Sequence, residues 1–263
     1  MNRRGGWSLM KSTWLSWMQY RSFFFLLAFM WMMPALISFL VWSAAAGDGT
    51  VGGMGKGELA FYYIVLILVN QITYAQTNWT VGDAIRYGRM NALLTRPLSP
   101  LYDALAQEMA GKTVYMLLVV PVSAVLVLVL RPVAHIGVRD ALAFLPALAG
   151  AWALRFLWGY GLALISFWTA RADALLALQD ALVFLLAGQL APVEFLPAPM
   201  KAAAMVLPFR SMLGFPVEVL SGSLDAAAMI AGFLVQAAWL AAAALLSAAL
   251  WRAGLRRYAA VGG

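Results

Sequence analysis

The sequence has 263 residues, of which 64% are hydrophobic and 11% are charged, and its formal net charge is +7. A soluble domain carries about 25% charged residues, so this composition excludes an ordinary water-facing surface and predicts an integral membrane protein. Cysteine is absent, which excludes disulfides, thiolate metal sites and thiol catalysis. The positive charge does not require a nucleic acid partner, because inner loops rich in Lys and Arg give the same excess.

Residues 7–21 form the first predicted element. Trp7, Met10, Trp14 and Trp17 recur at steps of three and four residues, and serine and lysine fill the opposite face. This pattern predicts an amphipathic helix that lies in the headgroup layer. An extension of the first span into the cytoplasm is the alternative.

Six apolar stretches follow, and each is considered as a membrane span because a crossing needs about 20 such residues. They are residues 23–43, 59–77, 105–130, 141–168, 174–191 and 226–250. The first stretch is longer than the roughly 7–15 apolar residues of a signal-peptide core, so we expect a retained span. Arg171 and Asp173 are expected in a tight turn between the fourth and fifth spans.

Residues 192–225 are apolar but rich in proline. The prolines at positions 192, 197, 199, 208 and 216 exclude one straight helix. Irregular backbone is tolerated at membrane depth only where protein or a water-filled cavity covers it. The segment is therefore predicted to be a re-entrant outer hairpin, with an ordinary surface loop as the alternative. The predicted fold is an all-α polytopic membrane protein with six spans in one transmembrane domain over residues 1–263.

The distribution of basic residues predicts the orientation. With the N-terminus inside, the inner segments hold Arg3, Arg4, Lys11, Arg21, Arg86, Arg89, Arg96, Arg171, Arg252, Arg256 and Arg257. The outer segments hold Lys56, Arg131, Arg139, Lys201 and Arg210. This bias follows the positive-inside rule and places both termini in the cytoplasm.

Three short patterns resemble functional motifs but lack the required context. Gly111-Lys112-Thr113 resembles the end of a phosphate-binding loop, yet Ala106 stands where its first glycine is needed. Residues 78–80 match a glycosylation acceptor on the predicted inner side. His135 is the single histidine in the sequence, which excludes a multi-histidine metal site. No catalytic, cofactor-binding or metal-ligating residue is therefore predicted, and a membrane enzyme is disfavoured.

Arg155 lies near the middle of the fourth predicted span. A charge at that depth costs roughly 2.5–3.5 kcal/mol on the insertion scale, so the side chain is expected to face the bundle interior and find a partner. Asp180, Glu194 and Glu108 are the acids available near membrane depth. One interpretation places Arg155 and Glu194 on a translocation path or gate. The other is a buried ion pair or a packing contact between subunits, and both stay open.

The stretch from Gly82 to Asp103, GDAIRYGRMNALLTRPLSPLYD, carries a resemblance. Its Asp83, its Gly88, the pair Leu93-Leu94 and the run from Arg96 to Pro100 resemble the loop between spans two and three of type-2 ABC transporter permeases. The resemblance is to the small six-span bacterial members, and as architecture it extends over the whole chain.

The resemblance implies a cytoplasmic coupling helix over residues 83–95. Asp83 near its start suits the helix dipole, and Pro97 discourages helix at the residue before it. Arg86 and Arg89, three residues apart, are expected to meet acidic groups of a partner, with plain positive-inside anchoring as the alternative. The predicted ATPase-coupling residues are Asp83, Arg86, Gly88, Arg89, Leu93, Leu94, Arg96 and Pro97. Many relatives carry Glu where this chain has Asp83, which shortens the reach of that carboxylate.

The resemblance also implies a complete transporter. It contains two permease subunits, identical or related, and two separate ABC ATPase subunits that bind ATP and Mg²⁺, while this chain binds no cofactor. It resides among the lipids of the bacterial cytoplasmic (inner) membrane and exports a lipid, glycan, peptide or drug-like substrate. The alternative is an ATP-independent secondary transporter or channel, which generally has ionisable groups at midplane and inverted repeats. A non-transporting scaffold also stays open.

Overall fold

The computed structural model describes residues 3–169 and 173–258, and side chains within residues 6–169 and 174–258. Arg171 of the predicted tight turn lies outside the described residues. The helices are α1 Arg3–Gln19, α2 Arg21–Ala46, α3 Lys56–Thr73, α4 Thr77–Arg86, α5 Met90–Leu94, α6 Pro100–Leu130, α7 Val138–Leu164, α8 Asp173–Leu186, α9 Ala198–Val206, α10 Pro208–Met212, α11 Gly214–Leu220 and α12 Ala226–Arg257. Short 3-10 helices cover Ile165–Phe167 and Val193–Phe195. The all-α prediction is confirmed.

Five elements among the described residues are long and apolar enough to cross a membrane: α2, α3 together with α4, α6, α7 with the 3-10 turn that follows it, and α12. Several of these helices are longer than the predicted spans, because each helix continues into polar residues beyond its apolar stretch. The α12 helix begins after Asp225, whose Oδ1 accepts a hydrogen bond of 2.7 Å from the Ala228 amide.

The predicted fifth span, residues 174–191, differs from the other spans. The α8 helix has 14 residues, a length of about 21 Å, whereas the hydrocarbon core is about 30 Å thick. The chain leaves the helix at Gly188, which has φ +87°. The Gly188 carbonyl accepts from the Tyr62 hydroxyl at 2.9 Å, and the Leu190 carbonyl accepts from Trp42 Nε1 at 2.9 Å. The count of six spans stays a prediction.

The N-terminal helix α1 packs along α6. Trp17 Nε1 donates to Gln107 Oε1 at 3.0 Å, and the Trp17 ring stacks on Phe24 with centroids 4.1 Å apart. At the other end of the helix, 70% of Trp7 is exposed. The residues between 7 and 19 are thus helical as predicted, and their place in the headgroup layer stays a prediction.

The proline-rich segment 192–225 folds into short helices, as the prolines predict. Every residue from 208 to 219 is buried, and α11 packs against α7 and α3. Gln236 of α12 donates through Nε2 to the carbonyls of Ala147 and Ser211, at 3.1 and 3.0 Å. Irregular backbone therefore lies inside the bundle, covered by protein, and this favours the re-entrant hairpin over a surface loop.

This segment contains a buried ion pair. The Arg210 guanidinium binds the Glu218 carboxylate through Nε and Nη2, and both residues are less than 8% exposed. The Arg210 guanidinium carbon also lies 5.5 Å from the centroid of the Phe215 ring. The place of Arg210 in an outer segment stays a prediction; the structure adds that its side chain is buried, because Glu218 lies one helix further along the same segment.

Replacing Glu218 with Gln leaves the Arg210 charge buried without its partner, and this should cost about 3–5 kcal/mol of stability. The check is the thermal loss of the monodisperse chromatographic peak of the purified chain in detergent. The double variant R210M/E218M should recover most of the loss, because it removes both charges. Lys56→Gln is the control, since Lys56 pairs with Asp48 in solvent. Equal midpoints for E218Q and K56Q would contradict the structural role of the buried pair.

Candidate functional site

A break at residues 74–76 separates α3 from α4. Lys112 of α6 donates through Nζ to the Tyr74 carbonyl at 2.7 Å and to Glu108 Oε2 at 2.9 Å. The other oxygen of Glu108 accepts from the Thr77 hydroxyl at 2.9 Å. Gln76 donates to the hydroxyl of Tyr115. The Lys112 contact satisfies a backbone carbonyl that the broken helix leaves free, and the other contacts join side chains of the break to α6, so α6 fixes the position of the break.

The α4 helix is a buried continuation of this crossing, and it packs along α7. Asn78, Val81 and Ile85 are buried on it, and Asn78 packs against Gly159 of α7. Asn78 is only 2% exposed, so the folded chain does not present the 78–80 pattern as a glycosylation acceptor. The far end of α4 leads into residues 87–99, and we call the end of the bundle that carries them the loop face.

The structure corrects the predicted helix 83–95. The region contains two helices, α4 and α5, because Gly88 adopts φ +71° between them, a conformation that costs other residues more than glycine. Asp83 lies in the last turn of α4 and not near a helix start, so the expected dipole stabilisation is absent. Its carboxylate pairs instead with Arg86 at 3.2 Å. Arg86 and Arg89 therefore do not share one face of one helix.

The run from Arg96 to Pro100 forms the start of α6. Ser99 is the N-cap, whose Oγ accepts from the Leu101 amide at 3.4 Å, and Pro100 occupies the first helical position. Arg96 lies 3.6 Å from Asp103 in the first turn. Helix thus begins at position 100, five residues before the predicted third span, and the ion pair holds the exposed loop against it.

A cleft of about 480 Å³ opens between α4, α5 and α6 on the loop face. Of the predicted coupling residues, it brings together Asp83, Arg89, Leu93 and Arg96. The other four, Arg86, Gly88, Leu94 and Pro97, do not line it. Outside the cleft, Tyr87 is 74% and Leu94 39% exposed at the tip of the loop. Tyr87, a large aromatic residue in a polar loop, was not among the predicted coupling residues.

Arg155 on α7 is buried, with 8% of its surface exposed. Its Nη1 donates to Asn70 Oδ1 at 2.8 Å and to the Thr73 hydroxyl at 3.0 Å, and the guanidinium carbon lies 5.3 Å from the Tyr74 ring centroid. No ion pair to Arg155 occurs among the described residues. The α3 partners are thus neutral, where the sequence suggested an acid.

The three candidate acids have other surroundings. Glu108 pairs with Lys112, and Asp180 accepts from Gln179 Nε2 at 3.2 Å. Glu194 is exposed on the 3-10 helix Val193–Phe195 and forms no hydrogen bond or ion pair with Arg155. The structure therefore does not bring Arg155 and Glu194 together, and the part of each in a translocation path stays a prediction.

The five long apolar helices among the described residues define a multi-pass membrane protein. A family model described as an ABC-2 family transporter protein matches residues 28–262. The chain therefore belongs to the ABC-2 family of transporter membrane proteins, and the resemblance to type-2 ABC transporter permeases is confirmed. No curated protein and no solved structure matches the chain.

Gly88→Ala should loosen the loop face, because alanine in a left-handed conformation costs roughly 1–2 kcal/mol and no side chain lies near enough to clash. If local opening governs cleavage, trypsin should cut after Arg89 about 5- to 30-fold faster. Gly6→Ala is the matched control, since Gly6 lies in α1 with free space around it. Unchanged cleavage of G88A would show that the turn carries no strain.

Proposed function

We propose that this chain is the permease subunit of an ATP-driven exporter and that its loop face binds the ATPase. Membership of the ABC-2 family implies an ABC ATPase partner. The observation that carries the proposal is the connection of the loop-face cleft to a membrane crossing through α4. A partner that displaces residues 87–99 moves a helix that is buried against α7 and tied to α6 at its other end.

The charges of the loop face suit an acidic partner surface. Asp83 and Asp103 already pair with Arg86 and Arg96, so their negative charges are offset within the chain. Arg89 is exposed at the mouth of the cleft and forms no ion pair with the described residues. Opposite charges steer association and fix the register of an interface. We infer that Arg89 contacts a carboxylate of the ATPase.

The complete transporter, in this proposal, has two permeases and two ATPases in a bacterial cytoplasmic membrane, with both termini of this chain in the cytoplasm. ATP and Mg²⁺ bind to the ATPase subunits. The second permease is identical or related, and the substrate is a lipid, glycan, peptide or drug-like molecule. An ATP-independent transporter or channel is the competing function, and the buried charge of Arg155 is the observation in its favour.

The double variant R89E/R96E should weaken association with the ATPase at least tenfold, because it reverses two charges at the cleft. The measurement is the affinity of the purified chain for candidate ATPases encoded beside it. Lys201→Glu on α9 is the matched charge reversal away from the loop face. If no candidate ATPase binds the unaltered chain, or if R89E/R96E binds as tightly as K201E, the proposed interface is wrong.

The proposed orientation can be mapped with single cysteines, because the natural sequence contains none. Gly49→Cys, in the exposed turn between α2 and α3, should react with a membrane-impermeant maleimide on intact cells. Leu94→Cys, exposed on the loop face, should react only after the membrane is permeabilised. The reverse pattern would place the loop face outside and exclude a cytoplasmic ATPase contact.

A further inference from the structure

A small polar cleft lies beside Arg155, inside the bundle. It is enclosed by the break after α3, by α7, and by single residues of α8 and α10. Its lining residues are Tyr74, Ala75, Arg155, Trp158, Gly159, Gln179 and Met212. The cleft is separate from the loop-face cleft, since the two share no lining residue.

Arg155 has unused hydrogen-bond donors at this cleft. Its Nη1 is satisfied by Asn70 and Thr73, whereas Nε and Nη2 donate to none of the described residues. A guanidinium has five N–H donors in a fixed fork that matches a carboxylate or a phosphate. The contacts with α3 thus fix the Nη1 side of the guanidinium and leave Nε and Nη2 available to a ligand.

Two further polar atoms of the cleft have no partner among the described residues. Trp158 Nε1, a donor, and Gln179 Oε1, an acceptor, are both buried and unpaired. The amide nitrogen of Gln179 is already used, because it donates to Asp180. Buried polar groups are normally hydrogen-bonded, so two unpaired polar atoms beside an arginine with donors to spare indicate a place for a polar ligand.

The charge balance favours an anion. Arg155 contributes a positive charge to the cleft and forms no ion pair with the described residues: Glu108 is paired with Lys112, and Asp180 attracts Arg155 only from beyond ion-pair distance. By contrast, Arg210, which is also buried, is neutralised directly by Glu218. A buried charge without a counterion is costly, and a bound anion removes that cost.

We propose that Arg155 and Trp158 bind the anionic headgroup, a phosphate or carboxylate, of an amphipathic substrate, and that Gln179 accepts a hydrogen bond from a hydroxyl of that headgroup. The inference rests on the proposed transport function and names its substrate class. An apolar groove of about 380 Å³ between α8 and α2, lined by Ile37, Val41 and Phe184 among others, offers a surface for the apolar tail.

The cleft is narrow in this structure and has room for about one water molecule (about 10 Å³). A headgroup enters only when α8 withdraws Gln179 from α7. This helix is suited to such a movement, because Leu175 and Leu178 on its outer face are exposed and its main helix contacts are with α9 and α10. The structure thus corresponds to the closed form of the site.

The test uses the full chain, purified in an uncharged detergent, and two fluorescent probes with identical acyl chains. One is a phosphatidic acid and the other a diacylglycerol without the phosphate. The unaltered chain should bind the phosphatidic acid at least tenfold more tightly. Arg155→Gln should abolish that preference, Arg155→Lys should retain part of it, and Trp158→Phe should reduce it several-fold. Lys201→Gln, which removes a charge outside the cleft, should leave it unchanged.

Equal binding of the two probes by the unaltered chain would overturn the proposal, as would a full preference in R155Q. Chromatographic monodispersity checks that each variant is folded. If R155Q does not fold, the comparison of R155K with the unaltered chain still tests the role of Arg155. If millimolar inorganic phosphate competes with the probe, free phosphate fits the site. If it does not compete, the binding is assigned to the lipid headgroup. ATPase association is measured separately, so its loss alone contradicts the proposed function and leaves headgroup binding standing.

Discussion

The ion pair between Lys112 and Glu108 joins three elements in the interior of the bundle. Lys112 also binds the Tyr74 carbonyl, and Glu108 also binds the Thr77 hydroxyl, so α6 supplies partners to one backbone carbonyl and one side chain where the second crossing breaks. In lipid an unsatisfied backbone group costs several kcal/mol. The break is therefore stable only while α6 stays in register with it. A movement of α4 must shift α6 or α3, and this constraint connects the loop face with the membrane interior.

Two buried arginines show how the same bundle treats charge in different ways. Arg210 has a carboxylate partner eight residues away within one covered segment, and it stabilises an irregular backbone. Arg155 has neutral partners on α3 and unpaired polar neighbours in a cleft. The first arrangement is complete without a ligand. The second has donors left over, which is the arrangement expected of a binding position.

The hydropathy of the sequence predicted the all-α membrane class and the approximate position of each long helix. Five prolines predicted that residues 192–225 form short helical pieces, because proline excludes a straight helix whatever surrounds it. The sequence did not predict the break at residues 74–76, since nothing in local propensity marks it; the break depends on Lys112 and Glu108, more than thirty positions away.

The prediction of one helix over residues 83–95 was wrong for a related reason. Helix propensity and a resemblance could not reveal that Gly88 adopts a left-handed turn. The sequence predicted an acid as the partner of the Arg155 charge, whereas its hydrogen-bond partners are an amide and a hydroxyl.

The central claim is that the loop face transmits ATPase movement to the spans through the break held by Glu108. It is tested most directly by the distance between spin labels at Lys56→Cys, at the start of α3, and Leu128→Cys, near the end of α6. The distance is measured in the complex with its ATPase, with and without trapped nucleotide. The account predicts that nucleotide changes this distance in the otherwise unaltered chain, and that Glu108→Gln abolishes the change while the ATPase stays bound. An unchanged distance in the unaltered complex, or the same change with Glu108→Gln, would contradict it.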